Sequence, residues 1–199
     1  MTRLLARNRL LIICLAFLAT GCVKVRKQEA DLSQLSPLAA RFPHYADEAV
    51  RVEKSSVTVQ DGDTFSAGGQ VIRVLGLDTP EIAHPNLGWR KGQPFGEEAR
   101  ERAEELLEGA QVIEYLPAEK DRYGRLLAQV FLDGELLAVI MIGEHLGWET
   151  VSTYGDNGFP DLAALVVAAA DRAGEPPFME PYKWRQLQRE GSPAGAGRR

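Results

Sequence analysis

Apolar and polar residues alternate in short runs over the first part of this chain and then recur at helical spacing. Val50 and Val52, and again Val57 and Val59, are separated by polar residues, the period of two that makes a half-buried strand. Asp61-Gly62 predicts a turn, Thr64-Phe65 a resumed strand, and Gly68-Gly69 a second turn. Val71, Arg73 and Leu75 alternate with Ile72, Val74 and Gly76 in a third strand that leads into Asp78. A polar loop over 83–93 precedes a helix whose apolar stripe is Ala99, Ala103, Leu106 and Leu107, with Gly109 placed to end it. The glutamates and arginines between these positions read as a solvated face. Val112–Leu116 and Leu126–Leu132 predict two more strands. Asp133-Gly134 turns into an apolar helix through Ile142, and Phe159–Arg172 predicts another. Five short strands with a helix after the third are compatible with a mainly β, α+β fold: a five-stranded OB-type barrel capped by about three helices.

The two ends of the chain follow other patterns. Arg3, Arg7 and Arg9 precede an apolar run from Leu10 to Ala19, then Thr20-Gly21-Cys22. About ten apolar residues are too few to cross a bilayer, which takes roughly 20, but a basic start, short apolar core and small-residue exit match a secretory signal. Ala19-Thr20-Gly21-Cys22 resembles a bacterial lipobox, in which the cysteine is lipidated and becomes the new N-terminus. The expected organisation is a lipoprotein signal over 1–21, a polar membrane tether over 22–48, a folded domain over 49–173 and a partly disordered tail over 174–199. The expected location is the cell envelope, held to a bacterial membrane through Cys22. Cys14 would leave with the signal, and a lone Cys22 builds no internal disulfide.

Charge narrows the function. The 199 residues suit one domain plus extensions and carry a net charge of −5. Losing residues 1–21 removes three arginines and no acids, taking the charge to −8. Such a chain lacks the broad basic footprint of a tight nucleic-acid binder. An enzyme needs basic groups only at its site, so the balance counts against a pure binding module more than against a hydrolase.

The candidate chemistry sits in three stretches: Asp61-Gly62-Asp63-Thr64, Arg73 through Asp78-Thr79-Pro80-Glu81, and Asp121-Arg122-Tyr123-Gly124-Arg125. Each has an ordinary reading, as a hairpin turn, a capped helical turn and a polar connection. Arg73 resists one, because a strand of Val, Ile and Leu has little use for a guanidinium unless an anion waits for it. Taken together, clustered carboxylates suit a hard cation such as Ca²⁺, arginines suit a phosphodiester, and a carboxylate not committed to metal can deprotonate water. There is no Walker loop, Ser-His-Asp pattern or zinc spacing. His44, His84 and His145 are scattered and carry no expected catalytic role.

Asp61-Gly62-Asp63-Thr64-Phe65, Ile72 through Glu81, Pro94-Phe95-Gly96 and Asp121 through Ala128 resemble the thermonuclease family, the staphylococcal-nuclease-like fold, over roughly Val57 to Trp148. The resemblance implies an OB barrel and Ca²⁺-dependent hydrolysis of DNA and RNA by a monomer. It implies that Asp63, Asp78 and the Thr79 carbonyl bind calcium with Asp61 in support. Arg73 and Arg125 would hold the scissile phosphate, Glu81 act as base, and Arg122 and Tyr123 contact a terminal phosphate. Tyr154 is a candidate for stacking on the base, and the leaving oxygen takes its proton from water or Arg125. The rival readings are a silent OB module binding single strands or an envelope partner, and a purely structural envelope lipoprotein.

Overall fold

A computed structural model describes residues 36–85 and 91–190; the signal, Cys22 and the last nine residues lie outside them. In chain order the elements are α1 (Pro37–Arg41), β1 (Val50–Arg51), β2 (Val57–Asp61), β3 (Thr64–Ala67), β4 (Gln70–Val74), β5 (Leu77–Asp78), α2 (Gly96–Gly109), β6 (Ile113–Lys120), β7 (Leu126–Leu132), β8 (Glu135–Leu136), α3 (Leu137–Gly143), β9 (Trp148–Glu149), α4 (Val151–Tyr154), α5 (Pro160–Ala173) and α6 (Pro181–Glu190).

The five strands expected from alternation are present as β2, β3, β4, β6 and β7, hydrogen-bonded in the order β6-β7-β4-β3-β2. β4 and β7 run parallel and the other neighbours antiparallel, the strand arrangement of an OB sheet. β1 takes the outer edge of β6, so β1 and β2 stand at opposite ends of the path. A flat sheet would set those edges about 24 Å apart, whereas the six peptide steps from Arg51 to Val57 reach about 20 Å at full stretch. The sheet must therefore curl. The remaining strands, β5, β8 and β9, have two residues each, too few to show a period.

β7 is central, and Ala128 to Leu132 are all buried, apolar but for Gln129. Phe65, Ile72 and Val74 meet it from β3 and β4. α2 turns Ala99, Ala103 and Leu107 inward at intervals of four, as its stripe predicts, and leaves its acids to pair with Arg100 and Arg102 on the surface. α3 and α5 pack on each other, with Met141 of α3 and Leu162 and Val166 of α5 buried in the core.

Two segments differ from their sequence reading. The stretch read as tether joins the core from residue 37 onward: Leu38 is fully buried, and its N–H donates to the buried Glu114 carboxylate at 3.1 Å. The stretch read as tail forms α6, fastened ahead of its first turn. Phe178 is buried, its carbonyl accepts from Trp148 Nε1 at 3.2 Å, and the Met179 carbonyl accepts from Gln93 Nε2.

Candidate functional site

The β2–β3 hairpin carries the first two carboxylates. A register shift between Val59 and Asp61 bulges β2 at the end of the ladder and re-aims Asp61. Gly62 must be glycine because a Cβ there would lie 2.8–2.9 Å from the Thr79 side chain. That close approach brings Asp63 to Thr79, whose N–H donates to Asp63 Oδ2 at 2.9 Å. β4 pairs Arg73 with Thr64, and β5 presents Asp78 against Trp148 of β9.

Glu81 lies outside regular secondary structure, in a segment held from outside. Gln93 N–H donates to its carbonyl at 2.7 Å, and a Cβ on Gly96 would stand only 2.4 Å from that carbonyl. Gly96 opens α2 after Phe95, which has a left-handed φ of 70°. The Pro94-Phe95-Gly96 stretch thus has a local purpose: it lets the start of α2 press on the backbone of Glu81.

These elements gather Asp61, Asp63, Arg73, Asp78, Thr79 and Glu81. Asp63, Asp78, Thr79 and Glu81 are buried. Arg73 answers the question its position in β4 posed: Nη1 pairs with Asp63 Oδ1, and Nη2 donates to Asp78 Oδ1 at 2.6 Å and to the Leu77 carbonyl at 3.3 Å. A second guanidinium enters from α6, where sequence reasoning assigned no function. Arg185 Nη1 donates to Asp78 Oδ1 at 3.1 Å and Glu81 Oε1 at 2.5 Å, and Nη2 to Asp78 Oδ2 at 2.9 Å.

Burial, then the Asp63 and Glu81 charges, push the Asp61 carboxyl up to about 8. Burial also raises Glu81, opposed by Arg185 and assisted by Asp63 and Asp78. Burial works against the charge of Arg73, but Asp63 and Asp78 outweigh it and hold the guanidinium above its ordinary range.

Counting lone pairs, two per carboxylate oxygen, shows where a hard cation fits. Among the described residues, Asp63 Oδ1 is filled by Thr64 Oγ1 and Arg73, while Oδ2 accepts from Thr79 alone. Asp78 Oδ1 is filled by the two arginines, while among the described residues Oδ2 accepts from Arg185 alone. Asp61 Oδ1 accepts from Gly62 N–H. Asp61, Glu81 and His84 also offer ligand atoms within 4.8 Å of one another. The Thr79 hydroxyl is buried without a hydrogen-bond partner among the described residues. Oxygen donors dominate this set, which suits an alkaline-earth ion. His84, with Nε2 at 4.0 Å from Glu81 Oε2, stands closer to the chemistry than its scattered position in the sequence implies; its spacing of three from Glu81 was the available signal.

Arg122, Tyr123 and Arg125 form a separate group around Asp121. Asp121 Oδ1 accepts from the N–H groups of Tyr123 and Arg125, and Oδ2 from Arg125 Nε at 2.7 Å. Burial works against the Asp121 charge, but the Arg125 hydrogen bonds outweigh it and hold the carboxyl below its usual range. Gly124 takes a positive φ of 80°, as the turn at the hairpin tip requires. Both guanidinium groups lie over the exposed Tyr123 ring, at 4.8 and 5.5 Å from its centroid. Register sets Leu127 beside Arg73, and Arg125 stands one residue ahead of β7. Tyr154 is exposed at the end of α4.

The family model described as staphylococcal nuclease homologue matches residues 71–172. That span includes Arg73, Asp78, Thr79, Glu81, Arg122, Tyr123 and Arg125, with Asp61 and Asp63 before it and Arg185 beyond it. A thermonuclease of Staphylococcus hyicus is 41% identical over 85 residues, 40% of this chain and 48% of that protein. The endonuclease YncB of Bacillus subtilis is 33% identical over 113 residues, 54% of this chain and 52% of that one. The SPbeta prophage-derived endonuclease YokF of the same organism is 36% identical over 92 residues, 43% of this chain and 30% of that protein. The chain thus spans about half the length, or less, of these curated relatives. With just over half of its own length matched by the family model, and with the sheet order and carboxylate cluster above, this chain belongs to the staphylococcal nuclease homologue family.

Proposed function

We propose that this chain is a calcium-dependent nuclease that hydrolyses phosphodiester bonds of DNA, RNA or both. The observation that carries the reading is the convergence of Asp61, Asp63, Asp78 and Glu81 on one buried spot, with guanidinium groups set against them. Asp61, Asp63 and Asp78, with the carbonyl of Thr79, hold the cation, which when bound neutralises charge on a phosphodiester oxygen. Glu81, whose carboxyl is raised by burial, takes the proton from the attacking water; a base with pKa lifted toward neutrality serves better than an ordinary glutamate. Arg73, whose Nη groups hold Asp63 and Asp78, and Arg125, whose Nε holds Asp121, stabilise the scissile phosphate through their charge and their remaining N–H donors. Arg122 and Tyr123, exposed at the hairpin tip, meet a terminal phosphate.

The test is hydrolysis of single-stranded DNA and RNA by the full chain with Ca²⁺, Mg²⁺ or excess chelator. Ca²⁺ supports turnover, Mg²⁺ serves poorly because it demands octahedral geometry and holds its waters, and chelator abolishes activity. Undiminished hydrolysis in chelator removes the metal assignment. The same assay has a pH signature. Asp61 must lose its proton to ligate, so the Ca²⁺ concentration giving half-maximal rate falls as pH rises through about 8 and levels off above it.

We also propose that the mature protein is exported and lipid-anchored through Cys22. A single acyl chain binds a membrane marginally, while two or more anchor stably. The protein then fractionates with envelope membranes of a bacterial host, and Cys22→Ala abolishes that lipidation. Mass spectrometry that finds an unmodified Cys22 overturns the anchor and leaves the nuclease reading intact.

A further inference from the structure

We infer that the C-terminal helix α6 is part of the active site, and that Arg185 is a positioning residue that orients Glu81 for catalysis. The inference rests on the nuclease reading above. Arg185 binds one oxygen of Glu81, Oε1, and through the same guanidinium forks onto both oxygens of Asp78. The other Glu81 oxygen, Oε2, lies 4.0 Å from His84 Nε2, and Glu81, His84 and Asp61 offer ligand atoms within 4.8 Å of one another. One oxygen anchored and one presented is what a base needs in order to meet a water in a single orientation. A planar fork reaches two carboxylates at fixed angles, which an ammonium on a flexible stem does not.

The helix is built to deliver that group. Its inward positions are Pro181, Trp184, Arg185 and Gln188, spaced one, four, five and eight along the helix, and its other side chains face solvent. The segment ahead of it is fastened to the elements that carry the chemistry. Phe178 bonds through its carbonyl to Trp148, the β9 partner of Asp78. Met179 bonds through its carbonyl to Gln93, whose own N–H holds the backbone of Glu81. The Phe178 ring lies 5.7 Å from that of Phe95, beside Gly96. Arg125 is committed to Asp121, so Arg185 is the guanidinium that stands against Glu81 among the described residues.

The experiment is a double-mutant cycle on the full chain with Ca²⁺ and a single-stranded DNA oligonucleotide, using Arg185→Ala, Glu81→Gln and the two combined, with circular dichroism on each. Arg185→Ala lowers kcat by about 10–10², the scale of misplacing a catalytic group by an ångström, and leaves KM nearly unchanged. In the Glu81→Gln background the same change costs nothing further, because the group it positions is already gone. Free guanidinium ion restores part of the rate to Arg185→Ala and none to Glu81→Gln. Lys183→Ala, exposed on the same helix, leaves kcat unchanged. Should Arg185→Ala fail to fold, Arg185→Lys keeps the charge without the fork and shows a smaller kcat loss. Wild-type turnover in a folded Arg185 variant overturns the inference. So does a gain in rate, which would make Arg185 a plug, or an equal loss in both backgrounds. An inactive wild type overturns the nuclease reading and takes this inference with it, whereas an active wild type indifferent to Arg185 overturns the inference alone.

Discussion

Glu81→Gln lowers kcat by about 10²–10⁴, the range for losing a positioned general base, while Ca²⁺ binding persists. The amide keeps the size of the side chain and can still accept from Arg185, but it cannot take a proton from water. Asp61, Asp63 Oδ2 and Asp78 Oδ2 keep the lone pairs that hold the cation, so calorimetric titration with Ca²⁺ still shows a site. The carbonyl of residue 81 stays bonded to Gln93 N–H and pressed by Gly96, which protects the local fold. Near-normal turnover in the variant would reduce Glu81 to the cap of a turn, the modest role its spacing from Asp78 also permits.

Arg73→Ala produces the second large effect, and on two observables. Turnover falls by roughly 10²–10³, the scale for removing one preorganised charge stabiliser. Stability of the metal-free protein falls as well, because Arg73 bridges Asp63 and Asp78. Breaking one side of a buried ion pair costs about 3–5 kcal/mol where the remaining charge has no other partner; Arg185 still serves Asp78, so the loss should lie at the low end. Added Ca²⁺ replaces the missing positive charge between the carboxylates. The rise in Tm on adding Ca²⁺ is therefore larger for the variant than for the wild type. An unchanged metal-free Tm would show that the bridge does not hold the cluster, and unchanged kinetics in a folded variant would end the phosphate role.

The two arginines of this cluster differ in how the chain announces them. Arg73 was legible because it breaks an apolar strand, and the anions it called for are where the β2–β3 turn and β5 put them. Arg185 was not legible as a site residue. It sits in a basic and aromatic stretch after a proline-rich segment, where a solvated tail is the ordinary reading. Its only signal was the inward spacing of Pro181, Trp184, Arg185 and Gln188, which has no meaning until a surface exists for α6 to lie on. Leu38 is a parallel case at the other end. Leu32, Leu35 and Leu38 recur at intervals of three in the segment read as tether, too short a recurrence to mark a core element, and the Leu38 N–H finds its acceptor in Glu114, 76 residues away.

By itself the sequence determined the five main strands, the α2, α3 and α5 helices, and the residue types of the carboxylate-and-arginine cluster. Alternation of two and recurrence near four are local properties, and the motifs around Asp63, Asp78 and Asp121 lie within single turns. Only the tertiary structure decided which oxygens are free. The shared bond of Asp63 and Asp78 to Arg73, the commitment of Arg125 to Asp121, and the meeting of Asp61, Glu81 and His84 all depend on sheet register and the curl that lets β1 and β2 serve opposite edges. The same holds for the charge states. The Asp61 carboxyl is an ordinary aspartate in the chain, and reaches about 8 only where burial and its acidic neighbours act on it together.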